Sequence, residues 1–118
     1  MINDTTDFYN AHAHGFVRIA TSTPQVRTAD VAFNRDAILA EAKRAHDARV
    51  DLVVYPELCV SSYAIDDLHL QAALLDAVET AIGAIVSASA RLAPMLMIGA
   101  PLRRNGKIFN CALVIAGG

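Results

Sequence analysis

Glu57 closes the stretch Val50-Asp51-Leu52-Val53-Val54-Tyr55-Pro56-Glu57, a carboxylate set just past a β-branched run that ends in proline. The carboxyl ends of buried strands are where open α/β sheets bind their ligands. A carboxylate held there stands partly out of water and within reach of a bound substrate, which is the setting of a general base. Position alone leaves a second reading open, in which Glu57 caps a loop or pairs with an arginine. The other reactive side chains carry less. His12 and His14 lie two apart without a third ligand nearby in sequence, so they read as a surface pair rather than a metal site. Cys59 and Cys111 make neither a CxxC motif nor a disulfide framework and read as buried, inert thiols. His46 and His69 fall in helical segments and belong to no motif. Arg103, Arg104 and Lys107 flank a turn without interleaved aromatic residues, the pattern of a solvated loop and not of a nucleic-acid contact.

The elements that must position Glu57 can be read from periodicity. Residues Phe16, Val17, Ile19 and Ala20 make a short apolar run closed by Thr23-Pro24, a buried strand. Asp30 is placed to cap a helix whose stripe is Val31, Ile38, Ala42 and Ala45. Val50 to Tyr55 is a near-continuous apolar strand of the kind covered on both faces. Leu74, Val78, Ala81, Ile85, Ala88 and Leu92 then recur at helical spacing, in a segment that starts near Asp66-Asp67 with a break near Ala72 and stops at Pro94. Gly83 inside it costs about 1 kcal/mol relative to Ala, which marks it as a point of close packing. Met95 to Ala100 is a third strand. Asn105-Gly106 favours positive φ at both turn positions, so Ile108 to Ile115 folds back as an antiparallel fourth strand. The order is β-α-β-α-β-β: an α/β fold with a mixed sheet, both helices on one face and the other face bare.

Composition points the same way. In 118 residues, 54% are hydrophobic and only 19% charged. A single domain of this size leaves roughly a third of its chain surface in water, more than so few charges would cover. The surplus apolar surface reads as a face meant for a missing half-domain or for partner subunits. A net charge of -2 argues against a nucleic-acid partner. No uninterrupted apolar run reaches the ~18 residues of a membrane span, and Met1 to Thr6 is polar and acidic, unlike a secretory signal. A cytoplasmic setting with reduced thiols is expected.

The residues around Glu57 also carry a family resemblance. Tyr55-Pro56-Glu57-Leu58, followed by Ser61-Ser62-Tyr63, is similar to the PEL…(S/T)GY signature of the carbon–nitrogen hydrolase (nitrilase) superfamily. Gly99-Ala100-Pro101 and Asn110 follow in that family's order. Phe8-Tyr9, His14-Gly15-Phe16-Val17-Arg18 and Tyr63-Ala64-Ile65-Asp66-Asp67-Leu68 more narrowly resemble the start of the glutaminase domains of glutamine-dependent NAD synthetases. The match runs from Phe8 onward and departs at Ser62, where the family usually has Gly. If that position takes positive φ, Ser bears a strain of about 1 kcal/mol that Gly does not.

The resemblance implies a partial α-β-β-α sandwich. Residues 8–118 would be the N-terminal portion of the glutaminase domain, behind a flexible lead-in of residues 1–7. It implies glutamine as substrate, Glu57 as general base of a Glu-Lys-Cys triad, and Tyr63 near the substrate pocket and ammonia path. The family's lysine and nucleophilic cysteine lie beyond residue 118, and Lys107 comes too early for that role, so this chain alone is expected to be inactive. It further implies a synthetase domain using ATP and Mg to amidate deamido-NAD with the released ammonia, and a homo-oligomer. Two other readings stand beside it: a stand-alone nitrilase-type amidase or carbamoylase, and a non-catalytic fragment that associates through its apolar sheet.

Overall fold

Asp30 caps the first helix through its side chain: Oδ1 accepts from the Phe33 N–H at 3.1 Å. The computed structural model describes residues 8–118 and places this helix, α1, at Val31–Asp47; the expected flexible lead-in, residues 1–7, lies outside the described residues. The buried positions of α1 are Val31, Asn34, Ile38, Ala42 and Ala45, the predicted stripe with one polar addition. Strands β1 (Ile19–Thr21) and β2 (Leu52–Val54) flank it in sequence. Helix α2 (Ala72–Ser89) follows a short 3-10 turn at Asp66–Leu70, so the expected break at Ala72 is present. Strands β3 (Met95–Arg104) and β4 (Lys107–Ile115) complete the fold.

The sheet runs in sequence order, with β1, β2 and β3 parallel and β4 antiparallel to β3. Parallel crossovers are right-handed almost without exception, and two that step the same way across a sheet put their helices on one face. The core forms there: Ile38 and Ala42 of α1 and Val78 and Ile85 of α2 meet Val53, Leu96, Ile98 and Ala100, all essentially inaccessible. Helix α2 is long and apolar enough to cross a membrane by length and composition. Its Leu74, Val78, Ala81 and Ile85 are instead buried in this core. Asp76 pairs with Arg103 at 2.6 Å and Glu79 with Arg104 at 3.7 Å. These two arginines, expected in a solvated loop, also link the hairpin to the helix through these exposed pairs.

Four expectations about the strands and helices change. Phe16 and Val17 lie outside β1 and are 67% and 69% exposed. The β1–β2 ladder starts at Ile19↔Leu52, so the residues before it have no strand to pair with. They belong instead to an arm containing the 3-10 turn Ala11–His14. Asp51 fastens that arm, accepting from the Arg18 N–H at 2.6 Å and lying 2.8 Å from His12 Nε2. These contacts hold its carboxyl below the usual range. Second, β2 is covered on one face only: Val53 is buried while Leu52 and Val54 are half-buried. Third, β3 continues through Pro101 to Arg104. The carbonyls of Met97 and Gly99 accept from Tyr55 and Val60 on the β2 side. By the same alternation Pro101 turns its nitrogen to that side, where the β2 ladder has already ended at Met97, so the missing N–H breaks no strand pairing. Fourth, Gly83 is exposed, with open space where a Cβ would stand; it is not a point of close packing.

The turn between β3 and β4 forms as its dipeptide predicts, Asn105 at φ 51° and Gly106 at φ 72°. On the sheet face away from the helices, Ile19, Leu52, Val54, Met95, Met97, Ala112 and Val114 share one side of the register. Among the described residues no helix or second sheet covers them, and Ile19 and Val114 remain 59% and 58% exposed.

Candidate active site

Immediately after β2 the chain leaves the sheet and comes back to it within five residues. Tyr55 N–H donates to Met97 O at 2.9 Å and Val60 N–H to Gly99 O at 3.3 Å, so Pro56 to Cys59 form a bulge over β3. The bulge sits directly on Gly99: a Cβ there would lie 2.7 Å from Pro56 O and 2.9 Å from the Glu57 carbonyl carbon. Only a residue without a side chain admits so close an approach of backbone. Leu58 takes φ 52° and Ser62 φ 80°, and both Ser61 and Ser62 N–H groups donate back to Leu58 O at 3.2 and 2.9 Å. The positive φ at Ser62 is the conformation that the family's usual glycine would supply without strain.

Buried side chains brace the loop from below. Asn34, wholly inaccessible on α1, donates from Nδ2 to Arg27 O at 2.9 Å and to Val60 O at 3.1 Å, while its Oδ1 accepts from Arg27 N–H at 2.7 Å. Both amide hydrogens and the amide oxygen are thus engaged, and Asn34 staples the loop before α1 to the loop carrying Glu57. Sequence reading passed over it; the signal was a polar residue on an otherwise apolar helical stripe. Tyr55 buries its ring and donates its hydroxyl to Ile38 O at 3.1 Å. Burial, with Glu41 and Cys59 nearby, pushes its phenol above the ordinary range. Cys59 donates to Gly99 O at 3.6 Å, and burial raises its thiol above the usual value despite that bond. It is a packed thiol, not an activated one. Ser61 Oγ stands 3.4 Å from His69 Nε2, tying the loop to the 3-10 turn that follows.

The Glu57 side chain emerges on the bare face of the sheet. There it borders a cleft of about 300 Å³ whose lining includes Val54, Pro56, Met97, Gly99, Asn110 and Ala112. Asn110 Nδ2 donates to Glu57 Oε1. Glu57 itself is exposed: the partial desolvation expected at a strand end is not reached, because the described residues cover the sheet on one face only. Tyr63 is 68% exposed and is not among the residues lining the cleft, so the structure brings Glu57 to Asn110 rather than to Tyr63. Cys111 is half-buried on β4 with its Sγ 3.7 Å from Phe109 O. His12 and His14 have separate partners, Asp51 and the Phe8 carbonyl at 2.9 Å. A carboxylate oriented by an amide at the edge of a cleft can take a proton from a group placed opposite it.

Comparison with known proteins places the sequence and the fold. The chain is 46% identical over 112 residues to the glutamine-dependent NAD(+) synthetase of Mycobacterium tuberculosis, covering 95% of this chain and 16% of that protein. Its fold superposes on a crystal structure of a glutamine-dependent NAD(+) synthetase from Cytophaga hutchinsonii with a TM-score of 0.74 at 27% identity, over 86% of this chain and 17% of the other. An amidase from Nesterenkonia sp. shares the fold at a TM-score of 0.62 and 24% identity, over 72% of this chain and 32% of that one. The chain thus spans about a sixth of the length of the curated relatives it matches. The carbon–nitrogen hydrolase family model matches residues 18–118, a span that holds the Glu57 bulge, the Gly99 seat beneath it and Asn110 across the cleft, and the chain belongs to that family.

Proposed function

We propose that this chain is the first part of a glutaminase domain that hydrolyses the side-chain amide of glutamine and supplies ammonia for the ATP-dependent amidation of deamido-NAD to NAD. The observation that carries the reading is the placement of Glu57: a carboxylate on a seated bulge, held by Asn110 at the edge of a cleft on the bare sheet face. Its Oε2 is left to accept the proton of a nucleophilic thiol contributed by the chain that follows. The thiolate then attacks the amide carbon, and a lysine from the same later segment stabilises the oxyanion. Glu57 returns its proton to the leaving nitrogen as ammonia departs, and a water activated by the same carboxylate hydrolyses the thioester to glutamate. Tyr63, exposed beside this loop, would meet the substrate or the ammonia path once the rest of the domain is in place. On this reading ATP and Mg belong to a synthetase part beyond these residues, and hydrolysis of the glutamine amide proceeds without them. The protein would work as a homo-oligomer in the cytoplasm, and residues 8–118 alone would be inactive because nucleophile and lysine lie outside them.

The test is Glu57→Gln in the full-length protein. Glutamine-dependent NAD formation should fall by roughly 10²–10⁴-fold, while NAD formation from free ammonia persists. Loss of both activities equally would remove Glu57 from the glutaminase reaction. Glutamine hydrolysis by a wild-type protein that makes no NAD from ammonia would instead mark a stand-alone amidase.

A further inference from the structure

Glu57 has no cationic partner: among the described residues no lysine, arginine or histidine forms an ion pair with it. Its carboxylate is oriented instead by a neutral amide 53 positions away in sequence, Asn110 on β4. Asn110 stands opposite Pro101 in the β3–β4 register and so faces the bare side of the sheet, as the Glu57 bulge does. Gly99, two residues before Pro101 on that same face, is what lets the bulge descend to within reach of the amide. The other titratable side chains bordering the cleft are turned elsewhere, Tyr55 to Ile38 O and Cys111 toward Phe109 O. His69, in the adjoining small cavity with Leu58, Pro101, Ile108 and Asn110, is engaged by Ser61.

An amide donor differs from a lysine in this place. It does not titrate in the working range, so it holds one carboxylate oxygen without adding a charge that would make the base reluctant to take a proton. We propose that Asn110 is the positioning residue of the Glu57 carboxylate, fixing Oε1 so that Oε2 alone faces the nucleophile. The proposal rests on the reading of Glu57 as the general base, and its test separates the two.

In the full-length protein, kcat and KM for glutamine and the pH profile of kcat/KM are measured for wild type, Asn110→Ala, Asn110→Asp and Glu57→Gln. Thermal unfolding serves as the folding control. Asn110→Ala should lower kcat by about tenfold, the scale of one hydrogen bond to a charged group, with little change in KM. It should also move the acid limb of the profile to higher pH, since a hydrogen bond donated to a carboxylate in general favours its charged form. Asn110→Asp, of nearly the same volume, should move that limb further, since two carboxylates at hydrogen-bonding separation cannot both ionise freely. It carries the test if the alanine variant fails to fold. Acid limbs that coincide in wild type and the folded variants overturn the proposal even where kcat falls, for a merely structural asparagine would scale the profile without shifting it. If Glu57→Gln keeps wild-type glutamine turnover, the general-base reading fails and the proposal with it. If Glu57→Gln is inactive and the limbs coincide, only the role of Asn110 is refuted.

Discussion

At the scale of single residues, Ser62 shows how a departure from a family pattern becomes a physical quantity. The sequence raises the question of strain, and the structure answers it with φ 80° at a buried position. A left-handed non-glycine residue costs about 1–2 kcal/mol, while glycine loses roughly 0.4–1 kcal/mol through the greater freedom of its unfolded chain. Ser62→Gly should therefore stabilise the protein by about 0.5–1 kcal/mol, since the backbone bond from residue 62 to Leu58 O is kept. Calorimetric unfolding measures this directly, and a lower midpoint in the variant would show that the conformation is not strained. Glu57 was found by its neighbours in sequence, but the bracing by Asn34 and the contact of Asn110 with Glu57 were not. Asn34 shows in sequence only as a polar break in an apolar stripe, and the contacts it and Asn110 make with Val60 and Glu57 span 26 and 53 positions, a range that no local pattern encodes.

Between elements, the decisive contact is the bulge after β2 resting on Gly99 of β3. Its two anchors, Tyr55 N–H to Met97 O and Val60 N–H to Gly99 O, leave the backbone little room to rise. Gly99→Ala should cost about 1–3 kcal/mol by overpacking, seen as a lower denaturation midpoint. On the proposed glutaminase reading it should also depress glutamine hydrolysis more than ammonia-dependent synthesis, because the displaced backbone carries Glu57. An alanine variant with wild-type stability would mean that the bulge is not seated as described. The helices and the hairpin were legible in sequence because their signals are local: a cap at Asp30, a 3.6-residue period along α2, an Asn-Gly turn. The start of β1 was misplaced because Phe16 and Val17 are as apolar as a buried strand. Whether an apolar run pairs depends on a neighbour, and β2 reaches only as far as Ile19.

For the molecule as a whole, the two faces of one sheet have different fates. One is sealed by α1 and α2; the other presents Ile19, Met95 and Val114 to solvent, each over 40% exposed. Exposed apolar patches of this kind drive association. The isolated 118-residue chain should accordingly self-associate with rising concentration in sedimentation velocity, and Met95→Lys combined with Val114→Lys should return it to monomer. A wild-type chain that stays monomeric throughout would show that the face is tolerated in water. The low charge fraction anticipated this surplus, and the α-β-β-α resemblance implies a second sheet to cover it.

By itself the sequence determined the order of elements, the mixed sheet, the catalytic candidate Glu57 and the family, because propensity, period and short motifs act over a few residues. Only the tertiary structure decided that β2 is covered on one face, that Gly99 seats the Glu57 bulge, and that Asn110 meets the carboxylate. Those outcomes depend on which distant segments pack together. That is settled by close packing and by pairing buried polar groups across the fold, not by any stretch of chain read alone.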